Sequence, residues 1–326
     1  MKKITITFKK TGVINVEVAI LVPCYNEELT IEKVIKDFKK ELPECKIYVY
    51  DNNSKDKTYE IALSNGAIVK KEYRQGKGNV VRSMFMDIEA DCYIMVDGDD
   101  TYPAEFVHQL IEPIVNKEAD MVIGDRLSNG TYKSENKRKF HNLGNSMVRT
   151  LINKLFSSDI NDIMTGYRSF SKEFVKSMPV LSEGFEIETE ISIHALDKNF
   201  LIKELPIDYR DRPEGSFSKL NTFNDGMKVM KTIFTLFKDY KPFIFFGIWS
   251  LILLVLGLAV GTPVVVEFIR TNYITKLPSA VLAVGLVVLS TLSFSCALIL
   301  DTVVKQNKRV YELHLSEIKR RINLEK

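Results

Sequence analysis

Apolar and polar positions alternate in short blocks along residues 1–125, and each block has the length of one strand or one helix. Apolar runs typical of buried strands occupy 17–22, 46–50, 67–69, 92–96 and 121–123. Between them, apolar residues recur at helical spacing in 30–41, 57–64, 78–88 and 103–115. This alternation predicts an α/β domain built around a mainly parallel sheet, and Thr30 is a candidate N-cap for the first helix.

Polar residues follow four of these strands at the point where each strand ends. The four clusters are Pro23-Cys24-Tyr25-Asn26-Glu27, Asp51-Asn52-Asn53-Ser54, Asp97-Gly98-Asp99 and Gly124-Asp125-Arg126. In open α/β sheets, ligands bind beyond the carboxyl ends of the strands, and these ends share one edge of a parallel sheet. The pattern therefore predicts one binding site to which all four clusters contribute.

The third cluster predicts a metal site. Side chains two residues apart on a straight strand share a face, and Gly98 adds no bulk between Asp97 and Asp99. Carboxylate oxygens suit magnesium or manganese, which proteins usually hold with one or two carboxylates plus substrate phosphates. A solvated acidic turn is the alternative interpretation of the same residues.

A second glycine-rich segment, Gly76-Lys77-Gly78, opens a predicted helix. The start of a helix can receive a phosphate group, although a plain turn explains the segment equally well. The chain has no G-x-G-x-x-G after its first strand and no G-x-x-x-x-G-K-[ST], which argues against a dinucleotide-dependent enzyme.

Charge and cysteine content exclude other classes. The formal net charge of +3 gives no nucleic-acid signature. The four cysteines form no C-x-x-C pair, which indicates a reducing compartment without a zinc site. The lysine-rich N-terminus lacks the long apolar core of a signal peptide.

Two uncharged apolar segments, 243–266 and 277–300, predict a membrane-spanning hairpin. Each would form a helix of about 36 Å, enough to cross a hydrocarbon core of about 30 Å with some tilt. Lysine and arginine concentrate outside the hairpin, at 228–241 and 305–321, rather than in its loop at 267–276. Both termini are therefore expected in the cytoplasm, and the basic tail suits anionic lipid headgroups.

Two further segments, 142–156 and 227–240, combine apolar residues at helical spacing with lysine or arginine. Such basic amphipathic helices can lie in the membrane interface. Packing against the core of the domain is the alternative interpretation for both.

The ordered set of motifs resembles the family 2 glycosyltransferases, in the branch of dolichol-phosphate mannose synthase and bacterial polyprenyl-phosphate glycosyltransferases. The resemblance covers about residues 18–220 and also includes Asp162-x-x-Thr165-Gly166-Tyr167-Arg168 and the segment 212–220. It implies a GT-A fold, a nucleotide-sugar donor, a divalent metal (Mg2+ or Mn2+) and inversion at the sugar carbon.

The resemblance also implies roles for individual residues. The expected donor-binding residues are Pro23, Tyr25, Glu27, Asp51, Lys77, Asp97 and Gly98. The expected metal ligands are Asp97 and Asp99, and the expected acceptor-phosphate residues are Arg126, Arg212 and Lys219. Asp162 resembles a proposed catalytic base, but orienting Arg168 or capping a turn are equal alternatives, and Asp99, Asp162 and Arg126 form the expected catalytic set. The spacing from Arg212 to Lys219 is one residue longer than in the mannose synthases, and Thr101 stands where some relatives carry Gln.

These observations predict transfer of a hexose, with a UDP-sugar favoured, to polyprenyl phosphate at the cytoplasmic face of a membrane. The expected organisation is a GT-A domain (1–220), an interfacial helix (221–242), two transmembrane helices (243–304) and a basic cytoplasmic tail (305–326). A homo-oligomer is compatible with the resemblance. A processive polysaccharide synthase and a non-catalytic membrane-tethered binding module are the alternatives; the missing Q-x-x-R-W motif argues against the first.

Overall fold

The computed structural model describes residues 4–8, 12–130, 139–213 and 234–324. The chain divides into a larger unit, Met1–Gly226 with His314–Lys326, and a smaller unit, Met227–Leu313. Within the larger unit, a two-stranded antiparallel sheet pairs β1 (Ile4–Phe8) with β2 (Gly12–Val16). It precedes the main α/β fold.

The main sheet of the larger unit has seven strands. They are β3 (Val18–Cys24), β4 (Lys46–Asp51), β5 (Ile68–Lys71), β6 (Cys92–Met95), β7 (Met121–Asp125), β8 (Arg168–Ser171) and β9 (Ile202–Pro206). Their order across the sheet is β5-β4-β3-β6-β8-β7-β9, and only β8 runs antiparallel to its neighbours. The predicted mainly parallel α/β fold is confirmed.

Helices connect these strands. They are α1 (Ile31–Glu41), α2 (Thr58–Ser64), α3 (Lys77–Asp87), α4 (Val107–Val115, after a 3-10 turn at Ala104–Phe106), α5 (Lys139–Phe156), α6 (Lys172–Ser177) and α7 (Ile187–Asp197). Every residue of β3 is buried, as expected for a central strand covered on both faces. The apolar stripe of α1 (Ile31, Val34, Ile35 and Phe38) packs into this core.

Strand β8 was not predicted from the sequence, because it reads Arg-Ser-Phe-Ser and carries no apolar run. Its Arg168 is fully buried and donates hydrogen bonds to the carbonyl oxygen of Thr165 at 3.0 Å and to Ser192 Oγ at 2.9 Å. Burial lowers the pKa of Arg168 to about 10. These partners, on the preceding loop and on α7, explain how a buried guanidinium is accommodated in a strand.

The smaller unit contains α8 (Pro242–Thr271) and most of α9 (Leu277–Leu324). Both helices are long and apolar enough to cross a membrane. Ser250 and Ser290 each donate to the other's carbonyl oxygen, at 3.0 and 2.8 Å. A Cβ on Gly257 would lie 3.0 Å from Val287 Cγ2, so the small residue allows the helices to approach closely. Helix α9 continues through the basic tail.

Candidate active site

The Asp97-Gly98-Asp99 segment lies in the turn after β6, which ends at Met95, and not on the strand itself. Thr30, the predicted N-cap of α1, makes no side-chain cap hydrogen bond; its hydroxyl donates to the carbonyl oxygen of Gly98 at 2.6 Å. A Cβ on Gly98 would lie 2.7 Å from Cys24 Sγ. The turn therefore packs against the end of β3, and glycine is required there by space.

Asp97 is held by a buried lysine. Lys77 Nζ donates to Asp97 Oδ1 at 2.5 Å and to Glu188 Oε1 at 2.5 Å. Burial acts to lower the pKa of Lys77, but the two carboxylates outweigh it and raise the pKa above its ordinary value. Lys77 therefore stays charged, while burial raises the pKa of Glu188. On the other side of Asp97, a Cβ on Gly166 would overlap the carboxylate oxygens.

Asp99 has a different cation. Its Oδ1 accepts from the hydroxyl of Thr101 at 2.7 Å, and its Oδ2 is ion-paired with the guanidinium of Arg212. The side chain of Asp99 is buried, whereas Arg212 is partly exposed. The two aspartates of the turn are thus oriented by separate partners instead of sharing one strand face. Two carboxylates and two cations therefore meet at this turn.

Arg126 and Asp162 form a buried two-point ion pair. Arg126 Nε donates to Asp162 Oδ2 at 2.7 Å and Nη2 donates to Oδ1 at 3.2 Å. Arg126 also donates to the carbonyl oxygen of Met164 at 3.0 Å and to the hydroxyl of Tyr102 at 3.2 Å. Glu204 on β9 accepts the backbone N–H of Asp162 at 3.1 Å. Asp162 therefore orients Arg126, while Arg168, its predicted alternative partner, donates to other groups.

Tyr102 joins this pair to the Gly166 segment. Its hydroxyl accepts the backbone N–H of Gly166 at 2.9 Å, and its ring lies 6.0 Å from that of Tyr209. The guanidinium of Arg126 lies over the Tyr209 ring at 5.7 Å. Burial raises the pKa of Tyr102, which keeps its hydroxyl protonated as a donor and acceptor.

The first two predicted clusters meet beside this turn. Pro23 is buried at the end of β3, and Tyr25 and Glu27 follow it in half-exposed positions. Asp51 ends β4 and is buried; among the described residues none donates a hydrogen bond to its Oδ1. Asn52 Oδ1 accepts the backbone N–H of Gly76 at 2.7 Å, which fixes the segment that carries Lys77.

The start of α3 is closed by protein backbone. The N–H of Gly78 donates to the carbonyl oxygen of Glu183 at 3.0 Å, and a Cβ on Gly78 would overlap the carbonyl of Ser182. Gly76 has φ +127°, a conformation that favours glycine. Of the two interpretations of this segment, the structure supports the turn, and Lys77 contributes through its side chain.

The remaining predicted residues have different outcomes. Lys219 lies outside the described residues, as does most of the predicted interfacial segment at 221–242; within it, 234–240 is helical. One face of α5 is buried through Val148 and Ile152, and this helix contacts α7, which favours the core-packing interpretation. Met147 on the same helix is exposed.

Three positions of the site were missed from the sequence: Tyr102, Glu188 and Glu204. Each acts through a residue distant in the chain, and a single glutamate or tyrosine carries no local signal in the sequence. Tyr102 was the easiest of the three to predict, because it stands three residues after Asp99 in the sequence.

The site suits a divalent cation shared with a ligand. Among the described residues, no group of three or more His, Cys, Asp or Glu side chains is arranged to hold a metal ion. Asp97 and Asp99 nevertheless supply the hard oxygen donors that magnesium and manganese prefer, and such ions are commonly held by one or two carboxylates plus substrate phosphates. The donor set therefore fits a metal that binds together with a diphosphate.

Comparison with known proteins gives concordant results. A family model, Glycosyl transferase family 2, matches residues 19–178. Glycosyltransferase AglJ of Haloferax volcanii is 31% identical over 91% of this chain and 98% of its own length. The dolichyl-phosphate hexose transferase of the same organism is 29% identical over 67% of this chain and 92% of its own length.

A solved structure shares the fold. Glucosyl-3-phosphoglycerate synthase of Mycobacterium tuberculosis, in complex with Mn2+, UDP and glucosyl-3-phosphoglycerate, superposes with a TM-score of 0.54 at 21% identity. The match covers 68% of this chain and 79% of that chain. It identifies the larger unit as a GT-A-like fold.

Proposed function

Since this chain belongs to glycosyl transferase family 2, we propose that it transfers a hexose from a nucleotide-sugar, with a UDP-sugar favoured, to polyprenyl phosphate at the cytoplasmic face of a membrane. The observation that carries the proposal is the Asp97–Asp99 turn with its two cations, Lys77 and Arg212, on a chain that also has two membrane-length helices. The dolichyl-phosphate hexose transferase relative supports the lipid phosphate acceptor.

The donor is assigned to the side of the site formed by Asp51 and Asp97. The buried Oδ1 of Asp51 has an unused acceptor position, and leaving a buried acceptor unpaired is unfavourable. An N–H or hydroxyl of a nucleoside would satisfy it. The nucleoside pocket would be lined by residues that end or follow strands at the same edge of the sheet: Pro23, Tyr25, Glu27 and Gly98. Lys77 would contribute by pairing with Asp97.

Asp99, with Asp97, would hold the divalent metal. When bound, such a metal neutralises the negative charge that develops on the departing diphosphate. The structural neighbour forms a complex with Mn2+ and UDP, which supports a divalent metal in the proposed reaction. Lys77 and Arg212 would contribute by orienting the two carboxylates through their ion pairs.

The reaction exchanges one bond at the anomeric carbon for another. An oxygen of the acceptor phosphate forms a bond to this carbon while its bond to the donor diphosphate breaks, with inversion, and the electron pair leaves with the nucleoside diphosphate. A phosphate monoester carries about −1.5 to −2 charges near neutral pH, so it needs no strong base. Asp162 would then serve by fixing Arg126.

Cations are needed where two anionic groups approach each other. Arg126, Arg212 and Lys219 are assigned to the acceptor phosphate. Arg212 is partly exposed, and its pairing with Asp99 leaves it beside the turn that would hold the metal. A guanidinium offers planar paired donors to phosphate oxygens. The two apolar helices would tether the unit at the bilayer, with both termini cytoplasmic according to the distribution of lysine and arginine.

The experiment measures sugar transfer by the purified full-length protein in lipid nanodiscs. Labelled UDP-glucose, UDP-N-acetylglucosamine and GDP-mannose are each offered with polyprenyl phosphate and, separately, with neutral polyprenol. Transfer from one donor to the phosphate alone is the expected result. Equal transfer to the neutral polyprenol would overturn the phosphate acceptor, and absence of transfer from every donor would overturn the function.

Arg212→Ala tests the acceptor assignment, with Arg210→Ala as a matched control. Arg210 stands two residues away and pairs with the exposed Glu105 at 3.0 Å. A lost charged hydrogen bond is worth about 1.5–3 kcal/mol, so Arg212→Ala should reduce transfer about tenfold to hundredfold. Donor binding should change much less. Equal losses in donor binding and transfer would move Arg212 to the donor diphosphate.

A further inference from the structure

Helix α7 contributes a charged side chain to the site from outside the part of the chain that the family model matches. The match ends at residue 178, and α7 begins at Ile187. Glu188, in its first turn, is 7% exposed at the side chain and accepts from Lys77 at 2.5 Å. The positive end of the helix dipole stabilises a carboxylate at this position.

The buried lysine is shared between two carboxylates. Lys77 is 10% exposed and lies between Asp97 and Glu188, at the same distance from each. A lone buried ammonium would be strongly destabilised, and two carboxylates with one ammonium keep it charged. Glu188 therefore determines where Lys77 rests. Without Glu188, Asp97 would be the one carboxylate within ion-pair distance of Lys77 among the residues that the structure describes.

Asp97 has little freedom to move. Lys77 holds its Oδ1, and the bare Cα of Gly166 packs against the carboxylate on another side. One turn further along α7, Ser192 accepts from Arg168 at 2.9 Å, and Arg168 also donates to Ile163 and Thr165. The same helix face therefore braces the Asp97 carboxylate and the segment that leads to Gly166.

We propose that Glu188 is a positioning residue for the donor side of the reaction: it anchors Lys77 so that the ammonium orients the Asp97 carboxylate without withdrawing it from the donor. The assignment of Asp97 to the donor rests on the proposed function. When Glu188 loses its charge, Lys77 pairs more tightly with Asp97 and can shift toward it. Donor affinity then falls, while the acceptor side, with Arg126 and Arg212, keeps its contacts.

The first measurement reports on the ion pairs without any turnover. Competitive acetylation of Lys77 with acetic anhydride, read by mass spectrometry, follows how far its ion pairs protect the amine. Glu188→Gln keeps the size of the side chain and removes its charge, so Lys77 loses one of its two charged partners. A lost charged hydrogen bond is worth about 1.5–3 kcal/mol, so Lys77 should be acetylated at least about tenfold faster. Glu186→Gln is the matched control, because Glu186 is exposed and lies just before the same helix. Equal rates in both variants would refute the anchoring of Lys77.

The second measurement separates positioning from general stability. Glu188→Gln should raise the KM for the donor about tenfold, with kcat and the KM for polyprenyl phosphate changed less than twofold, and Glu186→Gln should match the parent. In an Asp97→Asn background, Glu188→Gln should have no further effect on donor binding, because residues acting through one contact are not additive. Additive effects, or equal changes in both KM values, would overturn the proposal.

Two further outcomes keep the result decisive. Should Glu188→Gln not fold, Glu188→Asp serves instead, because it retains the charge on a shorter side chain. It should raise the KM for the donor as well, but by a smaller factor. A folded Glu188→Asp with an unchanged donor KM and unchanged Lys77 acetylation would reject the role. Absence of turnover by the parent protein with every donor would refute the proposed function, whereas an active parent with Glu188→Gln equal to Glu186→Gln would refute only the role of Glu188.

Discussion

Replacing Asp162 by asparagine distinguishes an arginine-orienting carboxylate from a catalytic base. The Asp162 side chain is 3% exposed and that of Arg126 is 11% exposed, and two donors of Arg126 contact the two carboxylate oxygens at 2.7 and 3.2 Å. Asparagine keeps one acceptor oxygen and places an NH2 group against the guanidinium. Removing one partner of a buried ion pair costs about 3–5 kcal/mol, because the other charge stays buried.

Arg126 keeps its contacts with Met164 and Tyr102 in this variant. We therefore expect the free energy of unfolding to fall by about 3 kcal/mol, the lower end of that range. For a unit of 150–250 residues, each kcal/mol lowers the melting temperature by about 2–4 °C. Asp162→Asn should therefore lower the melting temperature by about 6–12 °C in scanning calorimetry of the full-length protein in detergent, together with transfer.

The matched control is Asp159→Asn, an exposed aspartate three residues earlier in the chain. It should leave both the melting temperature and transfer close to those of the parent. A melting temperature of Asp162→Asn within about 2 °C of the control, combined with loss of transfer and of the acidic limb of the pH–rate profile, would refute the reasoning. Asp162 would then act as a general base.

Three more predictions concern metal, pH and topology. Asp99→Asn should weaken Mn2+ binding in the presence of UDP, measured by the electron paramagnetic resonance signal of free Mn2+, whereas Asp100→Asn should not, because Asp100 pairs with Lys33; equal affinities would remove Asp99 from the metal site. Burial lowers the pKa of His194 to about 4. Between about pH 6.5 and 4 the unfolded chain therefore binds a proton that the folded chain does not, and the free energy of unfolding should fall by about 3 kcal/mol as the pH is lowered through that range. His194→Gln should flatten this part of the plot of unfolding free energy against pH, and an unchanged slope contradicts the assignment. Tyr273→Cys, in the exposed turn between α8 and α9, should react with a membrane-impermeant maleimide on intact cells when the parent does not; labelling that requires permeabilisation would reverse the topology.

The sequence was sufficient for the fold class and for the family resemblance, and both are confirmed. Strands such as β3 and β6 are buried on both faces, so their residues must be continuously apolar, and this requirement is visible in one chain. The ends of parallel strands meet at one edge whatever the loops do, which is why the Asp97–Asp99 turn and Asp51 could be assigned to a common site. The apolar segments of α8 and α9 were readable because a membrane-length helix needs many consecutive apolar residues.

The tertiary structure decided which side chains act together. Lys77 and Glu188 are far apart in the chain, as are Asp99 and Arg212, and their pairing depends on how α3, α7 and the segment after β9 pack. The sequence allowed three roles for Asp162: a catalytic base, a residue that orients Arg168, or a turn cap. In the folded chain its ion-pair partner is Arg126. Strand β8 was not predicted because its sequence has no apolar run, and the contact of its buried Arg168 with Ser192 on α7 exists only in the folded chain. Local periodicity fixes which face of an element is buried, whereas charge pairing depends on distances between elements that only the folded chain defines.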